Sequence, residues 1–247
     1  MSARSRAKNQ SPAVTDEDAG VAARALSQII ERGARLQGPA VRAYVARLRE
    51  NSPEASPADI ITKLDTQYMA AAMASGAAVG SAAAYPGIGT LVAMSAVAGE
   101  TVVFLEATTL YVLAMAEVHG IPAEHRERRR ALVLSVLVGE DSKRAVADLL
   151  GPGRTSGAWV SDGAATLPLP ALSQLNTRLL RYFVKRYTLK RGALAFGKML
   201  PVGIGAVVGG VGNRLMAKKI VGNAHTAFGN PPARWPSPLH LLPAPRD

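Results

Sequence analysis

From Thr66 to Gly99 the chain carries 34 consecutive residues without a charge, and Glu100 and Glu106 are the only charges from there to Ala116. A stretch of this length must leave water, and two arrangements do so. It can be buried in a helical bundle, or it can form a hairpin of two membrane-spanning helices turning at Pro86-Gly87, since about 20 apolar residues span a bilayer. The composition favours the bundle. Residues 69–84 are mostly alanine, glycine and serine, which gain little from lipid but let helix backbones approach closely. Glu106 would cost about 3 kcal/mol or more if it faced lipid as an ion. In a protein interior a glutamate can instead be protonated or paired, which makes Glu100 and Glu106 the candidate buried acids. The expected fold is all-α, a multi-helix bundle with long Ala/Gly-rich apolar helices.

The punctuation of the chain agrees with helices throughout. Residues 21–50 space Leu26, Ile29, Ile30, Leu36, Val41, Val45 and Leu48 as one buried stripe, with a break or kink at Gly38-Pro39. "SPAD" opens the next helix, with Ser56 as N-cap, Pro57 at the first helical position and Asp59 at the third. That helix runs to about Ala84, where Tyr85-Pro86-Gly87 interrupts it. The following apolar helix stops at His119, Gly120 and Pro122, with Gly120 as the left-handed cap. A charged turn, Glu124 to Arg130, leads into "ALVLSVLVG", and "DSKRAVADLLG" forms one more short helix. Residues 1–20 are expected to be a disordered tail, 152–170 a loop and 229–247 a proline-rich extended tail, leaving 21–228 as a single helical domain. No alternating strand pattern occurs.

Charge is distributed very unevenly. Residues 1–162 hold 17 Lys+Arg and 17 Asp+Glu, whereas 163–247 hold 12 Lys+Arg and only Asp247. The whole excess of +11 therefore lies in the last third of the chain. Such asymmetry fits a polyanionic partner, an anionic membrane or a nucleic acid. In "ALSQLNTRLLRYFVKRYTLKR" one helix side carries Leu172, Leu179, Leu180, Phe183 and Tyr187, and the opposite side Arg178, Arg181 and Lys185. No helix-turn-helix or other reader motif accompanies the charge, and stacking aromatics are few. Nucleic acid is therefore the less favoured partner.

Catalytic and cofactor motifs fail on inspection. Gly203-x-Gly205-x-x-x-Gly209 resembles a dinucleotide loop, but the preceding "ALAFGKML" reads as helix and no acid follows until Asp247. Gly192 to Met199 imitates a phosphate loop and then puts Met199 where a magnesium-binding hydroxyl is needed. His119 and His125, with Glu117 and Glu124, straddle Gly120-Ile121-Pro122 and share no helix face. A helix-end histidine interacting with the last carbonyls is the better reading. There is no cysteine and no GxSxG elbow. No catalytic residue, metal site or cofactor is expected. The N-terminus, "MSARSRAKNQSPAVTDEDAG", lacks the apolar core of a signal peptide, so the expected compartment is the cytoplasm.

Met199 to Asn213 is a charge-free run of 15 residues, about 22 Å of helix against a hydrocarbon core of about 30 Å. Basic residues flank both ends, with Lys190, Arg191 and Lys198 before it and Arg214, Lys218 and Lys219 after it. The segment fits an interfacial helix dipping into one leaflet. It fits equally a close helix–helix contact through Gly205, Gly209 and Gly212 on one face.

An amphipathic basic helix followed by "KMLPVGIGAVVGGVGNRLMAKKIVGNAHTAF" resembles the C-terminal part of the EcsC protein family. "LVAMSAVAGETVVFLEATTLYVLAMAEVHGI" is similar to that family's middle section, and the resemblance covers residues 57–228. Arg214 departs from it, standing where an aromatic residue is expected. The family takes its name from a gene beside a secretion-associated ABC transporter. The resemblance implies a mostly helical fold and membrane association, and brings no catalytic residue or cofactor. The expectation is a non-enzymatic, membrane-associated helical protein at the cytoplasmic face, peripheral or partly inserted. It would dock on anionic lipid through Arg178, Arg181, Lys185, Lys190, Arg191, Lys198, Arg214, Lys218 and Lys219, with a membrane protein or a second copy as a further partner. A soluble scaffold, or a lipid-active enzyme whose site only the fold assembles, is the alternative.

Overall fold

A capping box starts the central helix of the fold. Asp59 Oδ2 accepts from the Ser56 backbone N–H at 2.9 Å and from its hydroxyl at 2.7 Å, and Ser56 Oγ faces the Asp59 N–H at 3.3 Å. The hydrogen bonds from Ser56 hold the Asp59 carboxyl below its ordinary range. This is the start that "SPAD" predicts. The structure, a computed structural model, describes residues 39–83, 90–121, 123, 125–150, 160, 167–195 and 204–236. Side-chain surroundings are described over 39–77, 102–121, 123, 125–149, 160, 167–183 and 211–236. Every regular element among these residues is helical: α1 (39–50), α2 (Pro57–Ala83), α3 (Thr90–Val118), α4 (Arg126–Val138), α5 (Glu140–Leu150), α6 (Leu169–Ala195) and α7 (Ile204–Phe228). The disordered tail expected at 1–20, the stripe residues before 39, the turn at 85–87, most of the loop at 152–170 and the last eleven residues lie outside the described residues.

The helices form two packed groups. In the first, α2 lies against both α7 and α3, and in the second α6 lies against α4 and α5. Helix α4 joins the groups by touching α3 and α7. Its residues Ala131 to Val136 are all 0% exposed, as befits a helix apolar on every side and surrounded by other helices. It begins at Arg126, so the charged turn expected up to Arg130 is in fact its first helical turn. The amphipathic reading of α6 holds over its described part, with Leu172, Leu175 and Leu179 buried and Arg178 and Arg181 exposed. Val41 and Val45 of α1 are likewise buried, as their spacing requires.

The polar ends of α3 and α7 meet at one end of the molecule. Gly120 has φ +68°, the Ile121 N–H donates to the Ala116 carbonyl at 2.9 Å, and the Gly120 N–H donates to Glu117 at 3.1 Å. These are the two bonds of a Schellman cap. Residues 229–236, read from sequence as the start of an extended tail, instead form a packed strap. The Trp235 indole N–H donates to the Ala55 carbonyl at 3.2 Å, and the Arg49 guanidinium sits 4.2 Å from the centre of the Trp235 ring. Pro236 closes over Gly120 so tightly that a Cβ there would stand 2.6 Å from Pro236 Cβ. Gly120→Ala therefore meets both a left-handed backbone and a clash, and should lower stability by roughly 1–3 kcal/mol. Urea denaturation of the two proteins measures this, and an unchanged midpoint would mean that the strap does not pack there.

Candidate functional site

Two features of the fold gather chemically capable side chains. The first is a polar cluster where α2, α3 and α7 meet. Asp65 Oδ1 accepts from the Tyr111 hydroxyl at 2.6 Å, and Asp65 Oδ2 accepts from His225 Nε2 at 2.7 Å. Three residues along α2, the Tyr68 hydroxyl lies 2.8 Å from Thr108 Oγ1. Thr108 already donates to the Phe104 carbonyl at 2.7 Å, so Tyr68 is the donor. The Tyr68 and Tyr111 rings stack at 4.6 Å, and burial pushes both hydroxyls well above the ordinary tyrosine range. Beyond them, His119 Nδ1 donates to the Met115 carbonyl at 2.9 Å and its ring lies 5.1 Å from that of Phe228. Burial is the main cause holding the His119 imidazole below its ordinary pKa.

An aspartate on a histidine is half of a nucleophile-activating arrangement, but the remaining geometry points to a clasp. Tyr111 donates to the carboxylate and offers the imidazole nothing. The threonines nearest in sequence, Thr62, Thr66 and Thr226, donate to backbone carbonyls of their own helices at 2.8–3.0 Å. Among the described residues no group of three or more His, Cys, Asp or Glu is placed to hold a metal ion. A groove between α1 and α2 is open, and its cation, Lys63, is engaged by Ser52 Oγ at 2.6 Å.

The second feature is the outer face of α7. Ala217, Ile220, Ala224 and Ala227 are buried, and Asn213 reaches α2 by donating to the Ala72 carbonyl at 3.1 Å. This buried face is centred about a quarter-turn round the helix from the line through Gly205, Gly209 and Gly212. Gly212 is exposed, with nothing within 4 Å of a Cβ built on it. The expected packing role of Gly212 is therefore corrected: the longer Ile220 and Asn213 turn their own face inward and leave Gly212 outside. The packing of Gly205 and Gly209 lies outside the described residues. On the outer face Val211 is 52% and Leu215 65% exposed, and Arg214 and Lys218 are exposed on the same side, with Lys219 next in sequence.

The other expected site residues divide cleanly. Arg178 and Arg181 are exposed on α6, Arg178 lying 3.9 Å from Asp148 across to α5. Lys185, Lys190 and Arg191 belong to α6, but their side chains lie outside the described residues, as does Lys198 altogether. Helix α6 packs on α4 and α5, whereas α7 packs on α2, α3 and α4, so the basic third is divided between the two helix groups. Glu106 is exposed on α3, which corrects its reading as a buried acid: Leu105, Thr108 and Thr109 take the inward positions and leave Glu106 in water. The side chain of Glu100 lies outside the described residues. Sequence reasoning missed the Asp65 cluster. Asp65 and His225 are 160 residues apart, and the one available signal was that Asp65 is the last charge before the long neutral run.

Among the described residues no helix is long and apolar enough to cross a membrane. Comparison of the chain with family models, with curated proteins and with solved structures found no match.

Two measurements check the cluster. Asp65→Ala leaves the buried Tyr111 hydroxyl without its acceptor, so stability should fall by about 1–3 kcal/mol, while Asp65→Asn, which keeps an acceptor oxygen, should lose less. Denaturation midpoints rank the two variants, and equal losses would show that the bond to Tyr111 contributes nothing. His119 gives a pH signature. Burial lets the folded protein keep this imidazole neutral to lower pH than an unfolded chain, whose histidine protonates near pH 6.5. The unfolded state thus binds more protons as pH drops, so this contribution is complete above about pH 6.5 and is lost below it. A plot of denaturation midpoint against pH should be flatter below that point for His119→Gln than for the parent.

Proposed function

We propose that this is a non-enzymatic helical protein that docks on anionic membrane surfaces at the cytoplasmic face through its basic C-terminal third. The observation that carries the reading is the outer face of α7, where Arg214 and Lys218 alternate with exposed Val211 and Leu215. Cations interleaved with apolar side chains on one helix face suit the boundary between headgroups and acyl chains. A phosphate backbone would use the cations but has no place for the apolar pair, so lipid is preferred to nucleic acid. Arg178, Arg181, Lys185, Lys190 and Arg191 would extend the cationic surface from α6, and Lys198 would add to it from the segment that follows. The likeness of 57–228 to the EcsC family supports the same reading and adds a role accessory to transport or secretion, with a membrane protein or a second copy as a further partner.

Flotation tests it. The protein should rise with vesicles containing phosphatidylglycerol and stay behind with phosphatidylcholine alone, and raised salt should release part of it. Each basic residue near an anionic surface contributes on the order of 1 kcal/mol. Replacing Arg214, Lys218 and Lys219 together by alanine should therefore weaken partitioning by about 100-fold. Equal recovery on the two vesicle types would end the electrostatic reading, and retention on DNA or RNA without flotation would replace it with the nucleic-acid one.

A further inference from the structure

The register of the three helices that share the Asp65 cluster places their exposed apolar side chains at one level. Asp65 pairs with Tyr111 and Tyr68 with Thr108, which makes α2 and α3 antiparallel and sets Met73 level with Val103. Asn213 bonds to α2 at Ala72, so α7 also runs antiparallel to α2, with Val211 near the same height. Met73 is 39%, Val103 51% and Val211 52% exposed, and Leu215 and Met216 follow within about one turn at 65% and 41%. These five are a collar on the α2–α3–α7 body. Lys218 and Lys219 lie on the side of that collar nearer the Asp65 cluster, and so does Glu106, while Arg214 stands at the collar's own level between Val211 and Leu215.

Beyond the collar the same three helices continue toward one end, as 74–83 of α2, 90–102 of α3 and 204–210 of α7. In those stretches Glu100 is the one charged residue, three positions past Val103. At 1.5 Å per residue the helices extend about 15, 20 and 10 Å past the collar. One leaflet of hydrocarbon is about 15 Å deep, half of a core of about 30 Å. Neutral helix ends of one-leaflet length, an apolar collar at their base and cations just behind it form the sequence of layers met on entering an anionic bilayer: acyl chains, interface, headgroups. Glu100 lies about 4–5 Å beyond Val103 along α3, at the base of these ends.

We infer that the collar-bearing end of the α2–α3–α7 body inserts into one leaflet of an anionic bilayer, with Met73, Val103 and Val211 at the acyl boundary and Arg214, Lys218 and Lys219 on the headgroups. No helix crosses the membrane in this arrangement. The inference rests on the proposed lipid docking and deepens it, from a surface contact through one helix face to an end-on insertion of three helices.

The absence of cysteine from the chain makes the test direct. Single cysteines are placed in the full-length protein by Met73→Cys, Val103→Cys or Val211→Cys, and by Glu54→Cys and Ser173→Cys as exposed controls away from the collar. Each variant is labelled with a polarity-sensitive fluorophore and mixed with phosphatidylglycerol-containing vesicles, with phosphatidylcholine vesicles, or with none. Insertion predicts a blue shift and quenching by nitroxide-labelled acyl chains at the three collar sites, on the anionic vesicles only, with both controls unchanged. A second variant, Val211→Asp with Leu215→Asp, should lose the salt-resistant fraction of binding while still floating at low salt. If the protein floats but the collar fluorophores remain in water, insertion is overturned and surface docking survives. If it does not float, both fall. A blue shift at the collar without vesicles overturns the inference in favour of a second copy covering that surface, which sedimentation of the same samples would show as a dimer.

Discussion

The pair of bonds on Asp65 fixes how the central helices meet. Interfaces built from alanine and glycine pack closely but discriminate poorly between registers, because one small side chain resembles the next. Helix α2 presents Ala72 and Gly76 to its neighbours, and α7 answers with Ala217, Ala224 and Ala227. A slip of one turn would leave these contacts little changed. It would strand a carboxylate, a phenol and an imidazole. Breaking one partner of such a group costs far more than the intact pair gains, so the polar cluster sets a register that the apolar surface leaves loose. Tyr68 on Thr108 and Asn213 on the Ala72 carbonyl repeat the device further along the same helices.

That register decides what each helix shows to water. With Asp65 joined to both Tyr111 and His225, the rotation of α3 and α7 about their own axes is fixed as well as their register. Glu106 and Val103 are exposed on α3. On α7, Lys218 and Arg214 share one stripe with His225 at the rim of the buried face, seven and eleven residues before it, with exposed Leu215 beside them. A change at Asp65 would reach the exposed Arg214 and Lys218 through rotation or sliding of α7, which carries His225 on the same helix.

Much of the fold was legible because it is written in local signals. Ser56, Pro57 and Asp59 announce the start of α2, Gly120 announces the end of α3, and the leucines of α6 mark its inner face, all through contacts within a few residues. The failures share a different cause. Gly212 and Glu106 were assigned from composition, small residue to contact and acid to interior, yet a helix position is buried or exposed by its angle, and the angle is set by partners remote in sequence. Ile220 and Asn213 outvote Gly212 for the inward side of α7, and Leu105 and Thr108 do the same to Glu106. His225 had no local meaning, since its partner lies in another helix. The strap at 229–236 was hidden for the same reason: its prolines describe an extended chain truthfully, but only the distant Arg49, Ala55 and Gly120 reveal what it packs on.

The exposed position of Glu106 also removes the main objection to contact with lipid. Placed in the middle of a spanning helix, its charge would have to be neutralised or buried at a cost of several kcal/mol. Placed behind the collar, on the same side as Lys218 and Lys219, it lies in water and costs nothing. Asymmetry between the two ends of the α2–α3–α7 body therefore does what neither a uniform bundle nor a uniform hairpin could do. The charged end is closed by the Gly120 cap and the Trp235 strap, whose indole N–H bonds the Ala55 carbonyl. In the helical stretches 74–83, 90–102 and 204–210, Glu100 is the one charged residue. Under the proposed docking, those three charge-poor stretches are the part of the body that meets the acyl chains.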